Sequence, residues 1–191
     1  MCGQQLGTAD LSGFGCEDMD AAIAAAGALL AYCRHTQQSA LPHVNGLKVE
    51  RASEFVMMDA PTRRNLEISE TLGGAESPTL FSLLDRCATS MGSRRLRHWL
   101  HHPLRDTSVL LRRQAAIEGL LHASSLLRHP RLKDLFTPWA DVERITARIA
   151  LRTARPRDLA GLRDTLATLP ALHAALAASG QPGLEEAAQA L

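Results

Sequence analysis

The feature that most restricts the fold is a narrow leucine stripe near the end of the chain. Leu159, Leu162, Leu166, Leu169, Leu172 and Leu176 recur at steps of three and four residues. That spacing places all six on one side of an α-helix. So narrow a seam suits a helix lying along a similarly long neighbour better than one wrapped by a globular core. Pro156 fits the first turn of this helix, where its missing N–H costs nothing and its fixed φ is already helical. Pro170 interrupts the stripe and is expected to kink it.

Most of the remaining sequence carries the same periodicity, so the fold class is expected to be mainly α. From about Glu17 to Gln37, Ile23, Ala26, Leu30 and Cys33 form one stripe, with Glu17, Asp18 and Asp20 near the positive helix start. Ala22, Ala25 and Gly27 would let another helix approach closely. Thr79 to Cys87 carries Leu80, Leu83 and Leu84, and Ser93 to Leu100 carries Leu96, Trp99 and Leu100 before Pro103 ends it. Thr107 begins a helix with Leu110, Ile117, Leu120 and Leu121, and Asp141 opens one whose apolar face is Val142, Ile145 and Ile149. In the stretch MGSRRLRHWL, Gly92 permits a tight turn, with positive φ open to it, where Ser93 can cap with its hydroxyl the helix that Leu96, Trp99 and Leu100 anchor. After the Leu41-Pro42 break, Leu47 to Arg51 and Phe55 to Met58 have strand character and predict a small β-hairpin around Ala52, Ser53 and Glu54. Ser179 to Gly183 breaks the long helix, and Leu184 to Leu191 starts a new helical pattern.

With 191 residues and 46% hydrophobic content, there is material for one well-buried core and a fragment of a second unit. Lys and Arg total 21 against 20 Asp and Glu, and a net charge of +1 predicts no strong non-specific pull toward nucleic acid or anionic lipid. The basic residues are Arg apart from Lys48 and Lys133, a bias that GC-rich coding explains as readily as guanidinium chemistry. Cys2, Cys16, Cys33 and Cys87 form no CxxC pair, which fits free thiols in a reduced, cytoplasmic protein. The apolar run from Ala21 to Cys33 is mostly alanine and shorter than the roughly 20 residues a membrane span needs. No basic n-region precedes it, so export is not expected.

The candidate sites are few. His98, His101 and His102 stand at helical spacing near Pro103, and such a pair binds zinc where other ligands converge. Their position at a helix C-terminus, where the dipole favours imidazolium, is the simpler reading. Arg144, Arg148 and Arg152 form a basic stripe that could meet phosphates, but Asp141, Glu143, Asp158 and Asp164 lie near enough in sequence to neutralise much of it. No nucleophile with a base and no carboxylate pair stands out. No catalytic, cofactor-binding or metal-binding residue is therefore assigned.

Two segments resemble the MutS family of DNA mismatch-repair proteins: MDAPTRRNLEISETLGGAESPTLFSLLDRCATSMGSRRLRHWLHHPLRD, from Met58 to Asp106, and DVERITARIALRTARPRDLAGLRDTLATLPAL, from Asp141 to Leu172. The stretch ALPHVNGLKVER and the helix from Glu17 to Gln37 are similar to the family too, so the resemblance covers nearly the whole chain. Pro61 replaces what is usually a small helix-former, and Cys16 and Cys87 sit at variable positions. The resemblance implies that residues 1–15 end a connector domain, 16–180 form the first part of the helical core, or lever, domain, and 181–191 begin the following clamp-proximal segment. It also implies a chain cut from a longer protein. The full-length family is a DNA-dependent ATPase that uses ATP and magnesium, grips mismatched duplex DNA through other domains, forms a homodimer and works with a MutL-like partner. Neither its Phe-x-Glu mismatch wedge nor a GxxxxGK[ST] phosphate loop occurs in this sequence.

The resemblance therefore implies a mechanical segment that couples nucleotide state to DNA grip. A stand-alone helical adaptor using the leucine stripe, and a small metal-dependent enzyme using the histidines, are the readings from other classes. With no wedging aromatic motif and no strong basic field, the chain is expected to show no preference for mismatched over paired duplex. A several-fold preference in filter binding at physiological salt would contradict this.

Overall fold

The computed structural model describes residues 2–37, 41–122 and 129–191. Met1 and Ala40, which fall in segments named above, lie outside them. Among the described residues the secondary structure is helical, with ten α-helices and no strand. The chain forms two compact units, Met1–Arg51 and Ala52–Leu191. The helix expected from about Glu17 to Gln37 lies in the first of these.

In the first unit, α1 (Cys2–Leu6) packs against α2 (Asp20–Gln37), with a single 3₁₀ turn at Ser12–Phe14 between them. On α2 the expected stripe faces inward: Ile23, Ala26, Leu30 and Cys33 are all half-buried, whereas Leu29 and Tyr32 are exposed. Gln5 is the polar tie. Its Nε2 donates to the carbonyls of Leu41 at 2.7 Å and Val44 at 3.0 Å, and its Oε1 accepts from Arg34 Nη2 at 2.7 Å. These bonds hold the stretch after Leu41, which has no ladder of its own, against α1. Arg51 closes the unit by donating to the Gly15 carbonyl at 2.9 Å.

No hairpin forms among the described residues, and the reason is visible in the backbone bonds. Ala52–Glu54 is one 3₁₀ turn, and the second expected strand finds a different partner. Val56 N–H donates to the Pro103 carbonyl at 2.8 Å and Arg105 N–H to the Glu54 carbonyl at 3.0 Å, making an isolated antiparallel bridge between Phe55 and Leu104. The Phe55 ring meets His102 edge-on with centroids 5.7 Å apart. A pairing of this kind needs an acceptor but no donor at position 103, so proline serves there without loss.

The second unit opens with α3 (Ala60–Asn65), capped by Asp59, whose carboxylate accepts from Thr62 N–H at 2.8 Å, with Pro61 in the first turn. Next comes α4 (Leu80–Leu84), held by a reciprocal capping box between Thr79 and Ser82. The carbonyls of Glu67 and Ile68 accept from Leu80 and Phe81, which seats buried Ile68 under the start of α4. The helix after Met91 starts earlier than expected. α5 spans Ser90–His101, and its cap is Thr89, whose hydroxyl accepts from Gly92 N–H at 3.0 Å. Ser93, expected as the cap, lies inside the helix and donates to Asp85 at 2.5 Å. Gly92 does not adopt positive φ. What it provides is room, since a Cβ there would sit 3.3 Å from Cys87 Cβ. Trp99, expected as an anchor, is exposed, with the Arg113 guanidinium 3.9 Å from its ring centroid. An indole covered by a cation is stabilised at the surface without entering the core.

The rest of the unit comprises α6 (Thr107–His122), α7 (His129–Phe136), α8 (Val142–Ala150), α9 (Pro156–Ala177) and α10 (Pro182–Gln189). Helix α9 carries the leucine stripe and runs on through Pro170 as one helix. The stripe divides along its length. Leu172 and Leu176 are buried with Leu184 and Ala188 of α10, and Leu120, Leu132, Phe136 and Trp139 pack around them. At the other end Leu159 and Leu166 are 51% and 48% exposed.

Helix α10 reaches α6 by close approach at two glycines. A Cβ on Gly183 would lie 3.1–3.2 Å from Ala116, its backbone N and Cα included, whereas a Cβ on Gly119 would meet the Gln181 side chain at 3.2 Å. Backbone cannot yield as a flexible side chain can, so the two glycines are expected to respond differently to alanine. Gly183→Ala should lose about 1–2 kcal/mol through overpacking. Gly119→Ala should be nearly neutral, because the roughly 1 kcal/mol of helix propensity gained offsets the shift of one side chain. Denaturant midpoints of the two variants measure the contrast, and equal losses would mean that both contacts are equally rigid.

Candidate functional site

The described residues that carry the strongest electrostatic interactions lie around α8. The chain enters this helix through Ala140 and Asp141. Ala140 N–H donates to the hydroxyl of buried Thr165 on α9 at 2.9 Å, and Thr165 in turn donates to the Gly161 carbonyl at 2.8 Å. Gly161 faces the same segment, and a Cβ on it would stand only 3.0 Å from Ala140 Cβ. The entry to α8 is therefore pinned to the second and third turns of α9.

Asp141 is the N-cap of α8, accepting from Arg144 N–H at 3.2 Å. The same carboxylate takes a bidentate pair from Arg94 of α5, Nη1 to Oδ2 at 2.7 Å and Nη2 to Oδ1 at 2.8 Å, and a hydroxyl bond from Ser90 at 3.0 Å. Arg94 Nη2 also reaches Glu143 at 2.5 Å. The fork of a guanidinium matches the two oxygens of a carboxylate in one plane, which fixes orientation as well as distance. Arg94 holds the Asp141 carboxyl far below the usual carboxylate range, helped by Arg144 N–H and Ser90, and partial burial opposes them. Asp141, with Glu143, pushes the Arg94 guanidinium up in turn.

The other end of α8 is tied to the start of α9. Arg148 Nη1 donates to Asp158 Oδ1 at 2.8 Å, and the second oxygen of that buried carboxylate accepts Arg155 N–H at 2.9 Å, capping α9. The backbone N–H of Arg155 is the main cause that lowers the Asp158 carboxyl, with Arg148 adding to it. Between the two helices Arg152 adopts φ 56°, and Thr153 N–H returns to the Arg148 carbonyl at 2.8 Å. This is a left-handed helix stop filled by a residue other than glycine.

The basic stripe is thus largely spoken for. Arg144 lies 3.4 Å from Asp141 and Arg148 pairs with Asp158, as the nearby acidic residues suggested; Asp164 instead pairs with its neighbour Arg163 at 2.7 Å. The histidines do not converge. His98 and His102 stack with centroids 4.6 Å apart, while His101 Nε2 lies 2.8 Å from Ser69 Oγ. Burial is the main cause that lowers the His101 pKa, with Arg63 and Arg97 adding to it. Among the described residues no three His, Cys, Asp or Glu side chains form a metal-binding group. Among them, too, no helix is long and apolar enough to cross a membrane.

What the sequence concealed is the pairing of Arg94 with Asp141 across 47 positions. The one available signal was an Asp at the N-cap position of a predicted helix, which marks a cap but no second partner.

Polar ties thus join α8 to α5 at one end and to α9 at the other, in a helical domain. Comparison with known families specifies it. Residues 61–191 match the family model of MutS domain III, and residues 2–45 match that of MutS domain II. The chain belongs to the MutS family of mismatch-repair proteins and carries connector and core segments. The domain II match takes in both α1 and α2, in keeping with the first compact unit.

The joint makes a prediction about acid. Because the Asp141 carboxyl is lowered from an ordinary value of 3.8, its contribution to stability is complete above that pH and is lost as the pH falls toward the folded value. At neutral pH, Asp141→Ala should cost about 1 kcal/mol from the lost cap alone. Asp141→Asn should leave a smaller acid-dependent loss than the parent shows below about pH 4, where the carboxylate protonates in the unfolded chain while the folded one still holds its charge. Melting midpoints between neutral and acid pH measure this. Parallel profiles for parent and Asp141→Asn would mean that the carboxylate contributes nothing.

Proposed function

We propose that this chain is a lever segment of a MutS-like mismatch-repair ATPase, transmitting nucleotide state in another domain to the grip on DNA in a third. The observation that carries this reading is the tie of α8 at both ends, by Arg94 to Asp141 and by Arg148 to Asp158. Elements joined in this way move together, which is what a transmitting part requires. The ATP and magnesium chemistry, contact with mismatched duplex, the homodimer and the MutL-like partner all belong to the whole protein on this reading. It also gives the segment no catalytic, cofactor or metal residue of its own, and a cytoplasmic location.

The test is to place Arg94→Gln in the complete reading frame and measure mismatch binding and ATP-triggered release from a mismatched duplex. Mismatch affinity should stay close to the parent's while release slows several-fold, because only transmission is weakened. Unchanged release together with unchanged affinity would favour the stand-alone adaptor. For that reading the bare leucines of α9, Leu159 and Leu166, would be the partner face.

A further inference from the structure

Outside the α8 joint, the second unit holds a groove of about 620 Å³ between α3, the turn that follows it and the end of α5. Arg63, Arg64, Ser69, Glu70, Gly74 and His101 line it. Its size falls within the ordinary range of small-molecule sites, roughly 300–1,000 Å³. Arg63 Nε is buried there and has no hydrogen-bond partner among the described residues. A buried N–H of this kind is satisfied by an ordered water or by a ligand oxygen.

The charge in the groove has one sign in excess. Two guanidiniums stand against the single carboxylate of Glu70, which is exposed. Arg97 lies nearby, with its Nη2 3.5 Å from the Ser69 carbonyl and its guanidinium 5.0 Å from the Phe81 ring centroid. His101 responds to this field: Arg63 and Arg97 add to burial in disfavouring its charged form. The imidazole is joined to Ser69 Oγ at 2.8 Å, which places the hydroxyl on the groove wall.

The arrangement of donors selects among anions. Arg63 and Arg64 are consecutive residues of one helix, so their side chains leave its axis about 100° apart, yet both line the same groove. A carboxylate presents two oxygens in a plane and is satisfied by one guanidinium edge. Two guanidinium groups and a hydroxyl along one groove offer more donors than a single carboxylate takes up, and a phosphate has the oxygens to accept them. A polyanion is a poorer fit, because a chain of net charge +1 offers few further cations along its length.

We propose that this groove binds the phosphate group of a small phosphate monoester, held by Arg63 and Arg64 with Ser69 beside them. The test uses the full 191-residue chain at constant ionic strength set with chloride, and follows the Arg63 Nε–H resonance by NMR. Inorganic phosphate and phenyl phosphate are titrated separately, and a short DNA duplex without terminal phosphates is the third arm. Both phosphates should give saturable shifts of that resonance, phenyl phosphate at the lower concentration, and the duplex should not displace them. Arg63→Gln should weaken binding about tenfold or more, the scale of losing one charge-assisted hydrogen bond. Arg64→Gln, at an exposed position, should weaken it several-fold while leaving the melting midpoint unchanged, so the result stands even if Arg63→Gln fails to fold. Absence of a saturable shift at millimolar phosphate, or binding that Arg64→Gln leaves intact, would overturn the proposal. Displacement of phenyl phosphate by the duplex at lower concentration would overturn the assignment to a small ligand.

Discussion

One carboxylate, that of Asp141, has three tasks that are usually divided among several residues. It caps α8, receives both arms of Arg94 from α5 and accepts the hydroxyl of Ser90. The tie of α8 to α5 depends on it, and the neighbouring Ala140 is pinned to Thr165 of α9. A carboxylate suits this position because a helix start concentrates partial positive charge. The negative group is already favoured there before Arg94 arrives, and the guanidinium then fixes its plane. Apolar side chains of similar volume would bury more surface but would not specify an angle, since hydrophobic contact is non-directional.

Polar ties matter more in this chain because its apolar core is small and placed to one side. In the second unit, the buried cluster is confined to the far end of α9, where Leu172 and Leu176 meet Leu184 and Ala188. Among the described residues no such cluster is found nearer α8. Ile145 is buried, but Leu151, Leu159 and Leu166 are exposed. Helix α9 therefore has two ends of different character, one set in a packed core and one positioned by ion pairs, caps and the close approach at Gly161. Directional bonds position the second end without the burial that anchors the first.

The helices were legible because their signals are local. Periodic apolar residues marked six of the eight helices described in the second unit within a few residues but not the short α3 and α7, Pro156 marked the start of α9, and Asp141 marked the cap of α8. The hairpin failed because strand character in a short run says that a segment is extended and not what it pairs with. Phe55 pairs with Leu104, and two residues after a proline carry no strand signature. Gly92 was misread for a related reason. A glycine before a helix is compatible with positive φ or with crowding, and only the position of Cys87 tells them apart. Of the joint, the Asp141 cap and the acidic partners of Arg144 and Arg148 could be read from sequence, whereas the capping of α9 by Asp158 and the Arg94 bridge could not. The acidic residues around the arginine stripe foretold neutralisation, yet the Arg94 fork comes from a separate helix, and no local pattern reports a partner at that distance.

On the proposed reading, the division of α9 bears on how a lever of this kind transmits. A helix embedded in a core along its whole length resists displacement everywhere, because packed side chains interlock at close to crystalline density. A helix held by ion pairs at one end keeps its direction while those pairs last and can take a second direction when they exchange, which is the behaviour of a two-position element. The bonds of the α8 joint have that character. They are short and oriented, and Arg94 has two carboxylates within reach, Asp141 and Glu143. Because Arg94 holds both at once, a displacement that lengthens one of these bonds leaves the guanidinium paired through the other. That avoids the several kcal/mol typical of leaving an enclosed charge without a partner. The same geometry that makes the joint specific at rest would then keep the barrier to its rearrangement low.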